Sequence, residues 1–102
     1  FTTMNTLLGK TLGILGGGQL SRMLAMKAQQ LGLQVRVLSN HPLDPAAQVV
    51  GSHRLGDPQN PKEVSAFLEG LDFLTFESEF IPASLLKFAE ARKNLHVFPR
   101  LD

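Results

Sequence analysis

Short, almost wholly apolar runs alternate along this chain with stretches in which apolar side chains recur every three or four positions. The first run, Thr11-Leu12-Gly13-Ile14-Leu15, has the composition of a strand buried on both faces. Gly16, Gly17 and Gly18 end it, and a helical pattern follows from about Gln19 to Leu31. Its predicted inward stripe is Leu20, Met23, Leu24, Ala28 and Leu31, with Met23 and Met26 read as packing residues. Lys27 interrupts the stripe; its stem can lie on the core while its amine reaches water. Gly32 is the stop signal. Gln34 to Leu38 reads as a second strand, followed by a loop from Ser39 to Pro45 that ends near Ala46-Ala47. Val49 to Leu55 carries the weakest strand pattern of the chain, and Asp57-Pro58 marks a turn. Asn60-Pro61-Lys62-Glu63 begins a helix with a side-chain cap, a proline at the first position and a glutamate at the third. Val64, Phe67, Leu68 and Leu71 follow at helical spacing, and Gly70 closes it. Phe73 to Phe76 is a fourth buried strand. Pro82 is expected to open a third helix with Leu85, Phe88 and Ala89 inward, and Leu95 to Phe98 a short fifth strand halted by Pro99.

Strands that alternate with helices in this way imply an α/β fold: a Rossmann-like parallel sheet of about five strands with helices on both faces. Right-handed crossovers place the loops that follow the strands on one edge. Ligands of such sheets bind at that edge, where the strand order reverses. There is no internal repeat or low-complexity segment, so residues 1–102 are expected to form a single domain. Residues 1–10 read as a leader, with Met4 as a natural start and residues 1–3 as the remnant of a tag.

Composition narrows the function classes. Hydrophobic residues make up 43% of the chain, enough for one modest core. A domain of this length buries only about 60–65% of its unfolded surface, so marginal stability alone and reliance on a neighbour are the expectation. Ten basic against nine acidic residues leave a net charge of +1, which offers no footprint for nucleic acid or an anionic membrane. No apolar run approaches the ~20 residues of a membrane span. The lack of cysteine excludes disulfides, thiolate chemistry and Cys-ligated metals, and the expected location is cytoplasmic.

Gly16-Gly17-Gly18-Gln19-Leu20 follows a strand and opens a helix, the context that gives a glycine motif weight. Glycine lets backbone approach a ligand closely, and a helix start offers N–H groups and partial positive charge to a phosphate. The same residues would also serve a tight turn that binds nothing; the context favours the anion. A dinucleotide fingerprint would carry a third glycine where Ser21 stands, and a carboxylate at the end of the second strand, where Ser39 stands. Ser39, Asn40 and His41 offer an NADP phosphate some polar groups but no arginine. An NAD(P)-binding or regulatory module is therefore the alternative reading.

Glu77 and Glu79 follow the fourth strand on the binding edge; in an extended chain both point to one side. They suit an amine or ribose hydroxyls equally as they suit solvent or the next helix start. The three histidines, His41, His53 and His96, sit on separate elements without metal-ligand spacing, so no metal site is expected. Arg22 is placed on an exposed helix face and Asp57 in a turn. Ser21 has no His or Asp partner at recognisable spacing, and no catalytic residue is assigned.

Gly13 through Ala25 resembles the opening segment of the 5-(carboxyamino)imidazole ribonucleotide synthase family. Asp44-Pro45-Ala46-Ala47-Gln48-Val49 is similar to its second signature, and Thr75 through Pro82 to its third. Together these cover the chain from about Leu12 to Arg100. The resemblance implies the pre-ATP-grasp domain of a purine-biosynthesis ligase. That enzyme joins bicarbonate to the exocyclic amine of 5-aminoimidazole ribonucleotide, through a carboxyphosphate made from ATP. It implies that the backbone of Gly17 and Gly18, Gln19, the Leu20 amide, Ser39 and Glu77 form the substrate site, with the glycine loop at the ribose-phosphate end. ATP and Mg belong to the ATP-grasp domains of the full-length parent, which are expected to be absent here along with any Walker-type lysine; this piece alone is expected to be inactive. Its expected partners are an aminoimidazole-ribonucleotide-like substrate, those ATP-grasp domains, and a second copy of the chain through the face they would cover. The family commonly carries aspartate at Ser39 and asparagine at Phe80, departures that take polar groups from ribose recognition. A sibling, formate-dependent glycinamide ribonucleotide transformylase, shares the architecture and a similar Pro-Ala-x-Gln-Val stretch, but fits the glycine segment less well.

Overall fold

The computed structural model describes residues 8–76 and 83–98. Five strands, β1 (Thr11–Leu15), β2 (Gln34–Ser39), β3 (Ser52–Leu55), β4 (Phe73–Phe76) and β5 (His96–Val97), form one sheet in the order β3-β2-β1-β4-β5. Every pairing is parallel. The helices are α1 (Gln19–Gln30), α2 (Pro61–Phe67) and α3 (Ala83–Glu90), and a 3-10 turn spans Ala46–Gln48. This is the expected Rossmann-like fold.

Period-two alternation sorts the strand side chains into two cores. Leu12, Ile14, Val35 and Val37 face one side, where Ala25 and Ala28 of α1 and Ala46 of the 3-10 turn cover them. Leu15, Leu38, Leu74 and Phe76 face the other, under Val64 and Phe67 of α2 and Leu85 and Ala89 of α3. β1 lies at the centre, paired to β2 through Ile14 and Val37 and to β4 through Ile14 and Thr75. At its start, Thr11 N–H donates to Asp72 Oδ2 (2.9 Å) and Asp72 N–H returns a bond to Thr11 O (2.9 Å).

The α2 start forms as its residues dictate: Asn60 Oδ1 accepts from the Lys62 and Glu63 amides, with Pro61 at the first helical position. Glu63 reaches past the cap to accept from the Asp57 amide, closing the turn that Asp57 itself makes by accepting from Gln59 N–H. At the other end of α2, Arg36 Nη1 donates to the carbonyls of Phe67 (3.1 Å) and Glu69 (2.7 Å). A cation there satisfies orphan carbonyls and suits the negative end of the helix.

Several expectations are corrected. The buried face of α1 is Ser21, Ala25 and Ala28, not the leucine–methionine stripe; Leu24 is half-buried and Leu20, Met23 and Met26 are exposed. The large side chains of Leu12, Ile14, Val35 and Val37 already fill the space above the sheet, so the helix seats with its small residues inward. Phe88 is exposed, because Leu85 and Ala89 occupy the inward face of α3. Arg22 is half-buried, where an exposed position was expected. β3 begins at Ser52: Val49 and Val50 pack on the α1-side core outside the ladder. β5 is two residues long. The proposed opening of α3 at Pro82 lies outside the described residues. Among the described residues no helix is long and apolar enough to cross a membrane.

Candidate functional site

The strand order reverses about β1: β2 and β3 lie to one side, β4 and β5 to the other. A crevice for ligands is expected beyond the carboxyl ends of β1 and β4. Gly16, Gly17 and Gly18 leave β1 at that place. Gly16 has φ 110°, a left-handed conformation that costs an L side chain about 1–2 kcal/mol. Gly16 N–H donates to Leu38 O (2.9 Å), and Ala46 N–H donates to Gly17 O (2.9 Å), so the loop is tied to β2 and to the 3-10 turn. Gly17 is buried. A methyl group there would stand 2.7 Å from Asp44 Cβ and 2.9 Å from both Cβ and Oγ of Ser39.

Gly18 is the N-cap of α1, in extended conformation and without a side-chain capping bond. The first turn of the helix has no acidic residue. Arg22 N–H bonds back to Gly18 O (3.0 Å), and the Gln19 and Leu20 amides precede that first intrahelical bond. The helix start therefore brings backbone N–H groups and the positive end of the helix dipole to the place where the strand order reverses. Gln19 and Leu20 are both exposed.

Of the residues expected at the site, Gly17, Gly18, Gln19, Leu20 and Ser39 come together in this corner. Glu77 lies outside the described residues, as do Glu79 and Phe80. Ser39 is buried, and its Oγ lies 2.7 Å from His53 Nε2, in a hydrogen bond whose donor is set by the imidazole tautomer. The other two histidines are far from this pair in role: His41 Nδ1 accepts from Leu43 N–H within its own turn, and the His96 ring meets Phe73. Among the described residues, no three His, Asp or Glu side chains gather where they could hold a metal ion.

Two residues of the corner escaped the reading of the sequence. Asp44 packs against Gly17, and the only signal for it was its place in the Asp-Pro-Ala-Ala stretch. His53 needed the β2–β3 register, which pairs it with Val37 and so puts its side chain on the face shared by Ser39. No local pattern announces that.

Comparison with known proteins agrees with this fold. A family model described as the ribonucleotide synthetase preATP-grasp domain matches residues 9–102. N5-carboxyaminoimidazole ribonucleotide synthase of Brucella melitensis is 40% identical over 76 residues, 74% of this chain and 21% of that protein. The Staphylococcus aureus N5-carboxyaminoimidazole synthetase, solved with ADP, superposes with a TM-score of 0.80 at 33% identity, covering 86% of this chain and 24% of that one. The Aspergillus clavatus enzyme, solved with ADP and 5-aminoimidazole ribonucleotide, gives 0.72 at 31% identity over 86% of this chain and 23% of that one. The chain thus spans about a fifth to a quarter of the length of these relatives. With the family model covering nearly all of it and the fold superposing at a TM-score of 0.80, the chain belongs to the ribonucleotide synthetase pre-ATP-grasp domain family, of the kind that opens N5-carboxyaminoimidazole ribonucleotide synthases.

Proposed function

We propose that this chain is the substrate-binding domain of a cytoplasmic ATP-dependent ligase that carboxylates 5-aminoimidazole ribonucleotide with bicarbonate, and that its glycine loop receives the ribose-phosphate end. The observation that carries the reading is the start of α1: its N-cap Gly18 makes no side-chain cap bond, the first turn carries no acid, and the helix follows directly on β1, about which the strand order reverses. A phosphate dianion gains from both the amides and the dipole. Gly17 and Gly18 let the backbone come within hydrogen-bonding range of it. Glu77, next along the chain after β4, is assigned to the ribose hydroxyls or the aminoimidazole. Ser39 closes the wall behind Gly17.

ATP and magnesium supply the activation of bicarbonate in this chemistry. Both are assigned to neighbouring domains, and the role of this chain is to bind and orient the amine. It follows that the chain by itself should show no ATP turnover above background.

Binding of 5-aminoimidazole ribonucleotide, with ribose 5-phosphate as the minimal probe, tests the reading. An isotope-labelled sample should show the Gly17, Gly18, Gln19 and Leu20 amides moving on titration, and a rise in thermal midpoint as ligand is added. NADPH should do neither. If NADPH moves those amides while the ribose phosphates leave them in place, the chain is a dinucleotide module and the proposal fails.

A further inference from the structure

β3 pairs only with β2 and never touches β1 in the ladder, yet it is one side chain away from the glycine loop. His53 is paired with Val37, whose side chain lies in the α1-side core; Ser39, two residues on, faces the same way. Ser39 is 2% exposed, so its hydroxyl has no bulk water to turn to. The imidazole 2.7 Å away is its hydrogen-bond partner, and loss of that bond leaves a buried hydroxyl unsatisfied or drives it to another rotamer. Either change alters the surface beside Gly17, since Ser39 Cβ and Oγ would both stand 2.9 Å from a methyl group placed on that glycine. The other ties on the loop, Gly16 N–H to Leu38 O and Ala46 N–H to Gly17 O, are between backbone groups. The Ser39–His53 bond, behind the loop, joins two side chains.

We infer that His53 is a positioning residue for the phosphate site: by fixing the Ser39 hydroxyl it sets the Gly17–Gly18 backbone, and with it the amides at the start of α1. It touches no ligand itself. The inference rests on the proposed function for the identity of the ligand, while the link from His53 to the loop stands on the geometry alone.

The test uses the whole chain, isotope-labelled, with ribose 5-phosphate as the probe. In His53→Ala the Gly17 and Gly18 amide resonances should move in the ligand-free protein. Affinity for ribose 5-phosphate should fall roughly tenfold, the size of one lost hydrogen bond. His53→Gln, which puts an amide nitrogen near the place of Nε2, should restore both. His96→Ala, on the opposite edge strand, should change neither. Ser39→Ala removes the same link without altering β3, so it should reproduce the affinity loss, and adding His53→Ala to it should cost little more. The inference is overturned if His53→Ala leaves the glycine amides in place, or if His53→Gln restores thermal stability without restoring the amides and the affinity. Should the wild-type chain itself ignore ribose 5-phosphate, the proposed function falls, while the ligand-free glycine resonances still decide whether His53 sets the loop.

Discussion

Adjacent glycines in this loop are required for different reasons. Gly16 needs its residue type for conformation, because φ is 110°. Gly17 is not among the positive-φ residues, and what demands glycine there is space: Asp44 Cβ and the Ser39 side chain leave no room for a methyl group. Both neighbours are close to their own main chains, so neither can swing aside as the end of a long side chain would. Gly17→Ala should therefore destabilise the chain by about 1–3 kcal/mol, the usual range for overpacking. It should also shift the β2 end and the 3-10 turn, because Ala46 N–H bonds to the Gly17 carbonyl. Denaturant unfolding reads the first effect. Equal midpoints for the variant and the wild type would show that the corner is looser than its distances suggest.

At the scale of elements, α1 is the most instructive. It lies on the sheet through Ser21, Ala25 and Ala28, of which Ala25 is fully buried. Ala25→Leu should cost about 1–3 kcal/mol in unfolding free energy, since the new side chain has to displace Ile14 or Val37. Met23→Leu, on an exposed position, should stay within about 0.5 kcal/mol. Equal losses for the two would put the buried face back on the leucine–methionine stripe. That stripe is what the sequence advertises, because periodicity marks where apolar residues recur and cannot say that small ones carry the contact. Central strands were easier to read: Leu12–Leu15 and Phe73–Phe76 are apolar at nearly every position because both faces are covered. The α2 start was legible for a different reason, since Asn60, Pro61 and Glu63 act within a single turn. β3 was not, because an exposed edge strand such as Ser52–Leu55 needs no apolar pattern, and the neighbouring Val49 and Val50 supplied a misleading one. The candidate site divides along the same line. The glycine loop is local and could be read; the Ser39–His53 bond spans 14 residues and depends on strand register.

For the molecule as a whole, the site sits where stability should be uneven. β1 is flanked by strands on both sides, its leucines and isoleucine are buried, and it carries the glycine loop at its end. β3 is an edge strand with three of its four residues exposed, and β5 has only two residues. Opening of β3 requires losing its ladder to β2 and the Ser39–His53 bond, but little apolar burial. Opening of β1 requires breaking both cores. Native-state hydrogen exchange should therefore show the amides of Leu12 to Leu15 exchanging only through global unfolding, with those of β3 exchanging at lower free energy. Ribose 5-phosphate, if it binds at the glycine loop, raises the global value for β1 by mass action. It should raise β3 as well only to the extent that the loop and His53 are coupled. Exchange in β3 that stays fixed while β1 slows on adding ligand would mean that the edge opens without disturbing the loop, and that the glycine corner holds its ligand with no help from the strand beyond it.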